Sequence, residues 1–365
     1  MTAERDIAAF ALPYAAGVFA SVYLSALCQP SPIALASASA ACILILLHPL
    51  HKRLPVRILY GILFTTILLC GAFSGAAAGL MPPVHHPATE WTASLGQSMK
   101  KAIEAITFND TRTTAILTAL ITGDRQGLSE TVTQTFRDSG ASHILALSGL
   151  HLGIIYGLMK ALLSACGNDY RARVFRSIAI ISACSIYTLA TGAAPSITRA
   201  LLFIILGETA SLTGRYRSTG TILLAALVLQ LTLSPAAVKN AGFQLSYAAM
   251  AGIAYIFPRL KRLWPEETGK ETYMNRLLRW IWNSASMSVA CQLTTGPIAW
   301  IYFGTFPQYF ILTNLIALPL VGLIIPMGLL TMVLDACNIC PQLMISSTET
   351  LVSLMAESLA VIASL

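Results

Sequence analysis

Phe136–Gly157, FRDSGASHILALSGLHLGIIYG, passes from a charged lead-in to an apolar run and then breaks that run. Arg137 and Asp138 come first, the apolar pattern starts at Ala141, and Ser148, Gly149 and His151 interrupt it before it resumes as far as Cys166. A His within a membrane span costs roughly a few kcal/mol unless it is paired or faces a cavity. Glycines there loosen backbone that neighbouring helices or water must satisfy again. A transport path is expected where a span is interrupted in this way. A second reading stands beside it. Gly149, Gly153, Gly157, Ala161 and Ala165 recur at every fourth position, a small-residue face of the kind that lets membrane helices approach closely. His151 lies two residues past Gly149, about 200° round the helix, and so points away from that face. Ser148 and His151 are either a polar path lining or a satisfied structural contact.

The composition defines the class. Hydrophobic residues make up 56% of the chain and charged ones only 11%, against about 25% charged in soluble domains. The formal net charge of +7 resembles a nucleic-acid signal, but most of the basic residues fall in short loops between apolar runs, as membrane insertion requires. Charge alone therefore identifies no partner. Eight cysteines lie mostly inside apolar runs, and Cys337-Asn-Ile-Cys340 lacks the second pair or histidines of a zinc site. There is no phosphate-binding GxxxxGK[ST], no HExxH and no His/Asp cluster at metal spacing. No cofactor, metal or resident ATPase is expected. Ser148 and His151 share one helical turn, but a hydrolase would need a base from a facing helix. The first apolar run follows Glu4, Arg5 and Asp6 without a cleavage pattern and reads as a retained helix.

The apolar runs predict an all-α, polytopic integral membrane protein with about ten or eleven spans. Residues 1–80 hold Ile7–Leu27, Ile33–Leu47 and Ile58–Leu80, the last with Gly71, Gly75 and Gly79 as a second small-residue face. Residues 139–365 alternate through Ala141–Cys166, Ser177–Thr191, Ile197–Thr213, Thr219–Leu233, Gly242–Phe257, Trp280–Phe303, Tyr309–Leu334 and Leu343–Leu365. A helix break is expected at Gly296-Pro297. Lys52, Arg53 and Arg57, then Arg171, Arg173 and Arg176, then Arg215 and Arg217, and then the loop Pro258–Arg279 with Lys270 all fall on one side. By the positive-inside rule that side, with the N-terminus, is cytoplasmic.

The remaining stretch, residues 81–138, is an extracytoplasmic linker with amphipathic or interfacial helices. His85-His86 reads as a solvated turn. Trp91, Leu95, Met99, Ala102, Ile103 and Ile106 line one helical face, which suits a helix on the membrane surface or one packed on protein. Thr113–Thr122 is apolar but too short to span, so it is interfacial or re-entrant. Acidic and basic residues in this stretch about balance, so it is no DNA-gripping surface. Two charges are embedded further on. Arg199 snorkels outward or lines a path, and Glu208, about 14 Å deeper along the same helix, pairs with Arg215 or Arg217 or faces a cavity.

Four runs in order carry a resemblance: TGDRQGLSETVTQTFRDSGASHILALSGLHLGIIYGL, TGAAPSITRALLFIILG, NAGFQLSYAAMAGI and TNLIALPLVGLIIPMGLL. With their apolar spacers they resemble the membrane core of the ComEC/Rec2 competence proteins, from about Leu117 to Leu330. The resemblance implies an inner-membrane channel that admits single-stranded DNA to the cytoplasm during natural transformation. By position, it marks Ser148, Gly149, Leu150 and His151; Pro195, Ser196 and Arg199; and Gly242, Phe243, Gln244 and Ser246. It further implies a separate extracytoplasmic DNA receptor or nuclease and a cytoplasmic ATP-driven helicase as partners, with a homo-oligomer left open. Full members carry an extracytoplasmic OB-fold and a metallo-β-lactamase-like nuclease domain. Neither is found in this sequence, so a fragment or a trimmed member without enzymatic activity is expected.

The channel candidates are therefore Ser148, Gly149, His151, Ser196, Arg199, Gln244 and Ser246, with Tyr187, Phe243, Tyr247 and Tyr255 as stacking candidates whose plainer reading is core packing. Gly153, Gly157, Pro195, Gly242, Gly296 and Pro297 are helix-break or packing positions. Two other readings are a transporter of small polar or ionic solutes, built on broken helices at Ser148–His151 and Gly296-Pro297, and an inert assembly scaffold.

Overall fold

The computed structural model describes residues 2–25, 29–46, 56–80, 90–167, 169–214, 218–265, 272–304 and 308–365. Cys28, Lys52, Arg53, His85, His86, Arg215, Arg217 and Lys270 lie outside them. The N-terminal helices are α1 (Thr2–Leu24), α2 (Pro30–Leu46) and α3 (Val56–Ala78). The short polar region forms α4 (Glu90–Ala105), α5 (Thr111–Thr122), α6 (Glu130–Asp138) and α7 (Ser142–Leu145). There follow α8 (Gly149–Leu162), α9 (Tyr170–Ala190), α10 (Pro195–Leu212), α11 (Thr219–Leu233) and α12 (Ala241–Ala251). The chain closes with α13 (Phe257–Lys261), α14 (Tyr273–Phe303), α15 (Phe310–Ala336) and α16 (Gln342–Ala363). No strand occurs among the described residues.

Seven of these helical segments are long and apolar enough to cross a bilayer: Glu4–Leu24, Tyr60–Ala78, Gly149–Cys166, Tyr170–Ala190, Pro195–Leu212, Phe310–Ala336 and Gln342–Ala363. Ser31–Cys42 and Thr219–Leu233 are apolar but shorter. The protein is thus an all-α polytopic membrane protein. The expected spans at Gly242–Phe257 and Trp280–Phe303 do not meet that measure. The first stops as an α-helix at Ala251 and continues as a π-helical turn, Gly252–Ile256; the second is part of a 31-residue helix whose apolar stretch is diluted by Asn283, Ser284, Ser286, Ser288, Gln292, Thr294 and Thr295.

The chain forms two compact units. The first, Met1–His86 with Tyr216–Ala254, is organised around the seam of α1 and α3. A Cβ placed on Gly17 would fall on the Leu68 carbonyl, and one on Gly71 on the Tyr14 carbonyl. Only glycine permits that approach, so the small-residue face of α3 does close on a neighbour. Tyr14, Val18 and Val22 of α1 then bury against Leu231, Val238 and Phe243. Two hydrogen bonds tie α1 to α11: Tyr14 to Thr232 at 3.0 Å and Ser218 to Glu4 at 2.7 Å.

The second unit is Pro87–Arg215 with Tyr255–Leu365. Its core is built around α5. Ile116, Leu117, Leu120 and Ile121 are buried with Val321, Ile324 and Ile325 of α15 and Val352, Met355 and Leu359 of α16. Of the two expectations for Thr113–Thr122, interfacial or re-entrant, the interfacial one is corrected: this helix is enclosed by protein. Its start is fixed by Glu349 of α16, which accepts from the Asp110 backbone N–H at 2.7 Å and from Asn109 at 2.9 Å. On α4, Ile103 is buried and Trp91 exposed, so the far end of its apolar face packs on protein. The break expected at Gly296-Pro297 is absent: α14 runs through Pro297, which deletes a single backbone donor from a long helix.

Candidate functional site

The span expected from Ala141 starts later. The chain makes the short α7, leaves helical geometry at Ala146 (φ −84°, ψ 130°) and begins α8 only at Gly149. Ser148 is the N-cap of α8. Its Oγ accepts from the Leu150 N–H at 3.2 Å, and its own N–H donates to His151 Nδ1 at 3.3 Å. His151 thus takes the place that Glu or Gln holds in a capping box. With Nδ1 accepting, the ring proton sits on Nε2, and that buried nitrogen has no hydrogen-bond partner among the described residues.

An interruption inside a membrane protein leaves carbonyls that must find donors. Here they come from three directions. Thr313 of α15 donates to the Ser139 carbonyl, Arg125 Nε to that of Leu145 at 3.1 Å, and Ser196 Oγ of α10 to that of Leu147. Leu147 also covers Gly123, whose φ of 81° and lack of space for a Cβ require glycine. The hydrogen bond from Ser196 thus brings Pro195–Arg199 against Leu147, the residue before Ser148–His151. Pro195 opens α10 at its first turn, where a missing N–H costs nothing. Arg199, one turn on, is 3% exposed; it is enclosed in protein and does not snorkel outward.

The α8 glycine face is open. Gly149 comes within 3.4 Å of Ala200 by its notional Cβ, but at Gly153 and Gly157 nothing among the described residues lies within 4 Å. Close helix packing is not formed there. Away from that face, Leu152 and Ile155 of α8 are buried against Ile180 and Cys184 of α9 and Ile197 of α10, and beside them lies a polar cluster that the sequence reading missed. Glu208 of α10 accepts from Tyr156 of α8 at 2.7 Å and from Ser177 of α9 at 2.5 Å. Lys160 donates to the Tyr156 hydroxyl at 3.1 Å. Arg215 and Arg217, the expected partners of Glu208 if it does not face a cavity, lie outside the described residues; two hydroxyls serve it among those described. The spacing Tyr156–Lys160 at i,i+4 was the available signal.

Gln244, Ser246 and Gly242 belong to the first unit, on α12. Gln244 donates to the Val238 carbonyl at 2.9 Å, and Ser246 is half-buried. Among the aromatic candidates, Tyr187 is buried and donates to the Ile121 carbonyl at 2.7 Å. Phe243 packs against Tyr247 in a tilted ring contact at 4.6 Å, and Tyr247 donates to Gln230 at 2.9 Å. These three have structural partners, and Tyr255 is exposed at 38%. No group of three or more His, Cys, Asp or Glu able to hold a metal occurs among the described residues.

A multi-pass helical membrane protein with a built interruption between its polar region and its spans is the class so defined. The family model described as "Competence protein" matches residues 120–365, and the chain belongs to this ComEC/Rec2-type family. It is 37% identical over 136 residues to ComE operon protein 3 of Bacillus subtilis (strain 168), covering 37% of this chain and 17% of that protein. It is 24% identical over 230 residues to the uncharacterized protein YcaI of Escherichia coli (strain K12), covering 60% of this chain and 29% of that one. The chain thus matches less than a third of the length of either relative. No solved structure matches it.

Proposed function

We propose that this chain is the membrane core of a channel that passes single-stranded DNA across the bacterial inner membrane into the cytoplasm during natural transformation. The observation that carries this reading is the interruption at Ala146–Ser148. Non-helical backbone persists at membrane depth only where protein buries it or a cavity adjoins it. Here Ser196 holds the Leu147 carbonyl within it and Arg125 the Leu145 carbonyl just before it, while further along α8 Gly153 and Gly157 face open space among the described residues. Arg199, enclosed one turn from Ser196, sets a positive charge behind the interruption. Family membership supports the choice of cargo. On this reading the N-terminus is cytoplasmic, an extracytoplasmic receptor or nuclease prepares the strand, a cytoplasmic helicase pulls it, and this chain performs no chemistry itself. The solute-transporter alternative loses one of its two motivating features, since α14 is unbroken.

The test is transformation frequency with marked DNA in the source organism after deletion of the gene. Complementation by the wild-type chain is expected to restore it, and complementation by Arg199→Ala at equal membrane level to restore at most a tenth. Normal transformation in the deletion strain, where the parent transforms, would retire the reading.

A further inference from the structure

At the start of α14 the second unit carries a cavity of about 570 Å³ lined by Lys261, Arg262, Trp264, Arg279 and Asn283, with Pro258 and Pro265 at its sides. Its walls are fixed. Trp282 Nε1 donates to the Leu260 carbonyl at 3.2 Å, and the Trp264 and Trp282 rings meet at 5.9 Å, so α13 and the turn after it are clamped to α14. Lys261 and Arg262 form no ion pair among the described residues. No carboxylate lines the cavity among those residues; Glu266, Glu267 and Glu271 of the connecting loop lie outside them. Three cations converging on a concave surface favour a phosphate.

We propose that this cavity binds the headgroup of an anionic glycerophospholipid of the phosphatidylglycerol class. The surroundings distinguish a lipid from a nucleic acid. Beside the cationic residues in sequence stand Leu263, Leu277 and Trp280, exposed at 69%, 51% and 45%, apolar surface that belongs against acyl chains. Trp at this level is the usual residue of the membrane interface. Basic pockets between membrane helices on the cytoplasmic side are suited to anionic headgroups, and the loop Pro258–Arg279 is on the side with the basic loops. The Asn283 Oδ1 makes no hydrogen bond among the described residues. A phosphate has no donor to offer it and an ammonium headgroup is repelled by the three cations, whereas a glycerol hydroxyl satisfies it. The inference rests on the membrane architecture and not on the DNA-channel reading.

The test uses the full chain, delipidated in mild detergent and titrated with phosphatidylglycerol or chain-matched phosphatidylcholine, with bound lipid counted by native mass spectrometry. Phosphatidylglycerol is expected to be retained selectively. The double variant Lys261→Gln, Arg262→Gln should weaken its retention about 30-fold, while Arg171→Gln, Arg173→Gln, a basic pair elsewhere, should not. A Lys261→Arg variant should retain the lipid, which separates binding from folding. Equal retention of the two lipids, or equal loss in both double variants, would overturn the proposal. So would glycerol phosphate alone competing at the lipid's own concentration, or a single-stranded oligonucleotide held by the same residues that phosphatidylglycerol does not displace.

Discussion

The α1–α3 seam and the exposed side of α8 carry the same sequence pattern, glycines four residues apart, and end in opposite states. On α3, Gly71 meets the backbone of α1 at Tyr14, and Gly17 returns the contact from the other side. On α8, Gly153 and Gly157 meet nothing within 4 Å among the described residues. The difference lies in the partner. α1 offers its own glycine and Ser21 opposite the stripe, whereas α10 reaches the α8 stripe only at Gly149, through Ala200, among the described residues. A small-residue stripe is a property of a pair of helices, so one stripe alone leaves a groove. α8 is held instead by Leu152 and Ile155, buried against Ile180 and Cys184 of α9 and Ile197 of α10, and by polar contacts at Ser196 near its start and at Glu208 further along.

The largest effect that would break this comparison is at the closed seam. Gly71→Ala should destabilise the first unit by about 3 kcal/mol, since the new methyl meets backbone that cannot yield; thermal unfolding in detergent reads it, and an unchanged midpoint would show that the seam is looser than described. Next comes the polar clasp. Tyr156→Phe removes one donor from the buried Glu208 and should cost about 2 kcal/mol, with Ser177→Ala similar. Ser196→Ala leaves the Leu147 carbonyl without its donor and should cost about 1 kcal/mol, seen as faster amide exchange confined to the turn before α8. The open side should give the reverse sign: Gly153→Ala is expected to stabilise by up to about 1 kcal/mol through helix propensity. The smallest effect is that of pH on the turn that supplies Arg125. The Lys100 ammonium 2.6 Å from Asp124 holds the carboxyl below the usual carboxylate range, and the carboxylate in turn raises Lys100. The Asp124 contribution is present above the unfolded value and lost as pH falls through the folded one; the Lys100 contribution is lost as pH rises through its raised value. Stability relative to Asp124→Asn should therefore be flat between about pH 5 and 9 and converge at the acid end.

Much of this was legible in the sequence. Apolar runs located the spanning helices, and Ser148-Gly149-Leu150-His151 announced an interruption, because capping residues within an apolar run are a local signal. The glycine spacing on α3 announced a close contact, but the same spacing on α8 misled, because the outcome depends on a partner surface that spacing does not describe. Gly296-Pro297 misled likewise: a proline weakens a helix locally, and 31 residues of helix absorb the loss. The enclosure of α5 was hidden because a 12-residue apolar helix reads alike whether lipid or protein surrounds it. Glu208 stood out as a buried charge, but its hydroxyl donors come from helices 52 and 31 residues distant, beyond any local pattern.

The central claim is that a DNA strand passes beside the interrupted start of α8. Photo-crosslinking in competent cells tests it most directly, with a benzophenone side chain placed at 153 or 157, or at Leu12 on the exposed side of α1, during uptake of labelled DNA. The account predicts crosslinks from 153 and 157 that depend on active uptake, and none from position 12. Crosslinks from position 12 with none from α8, at equal protein level and equal transformation, would contradict it.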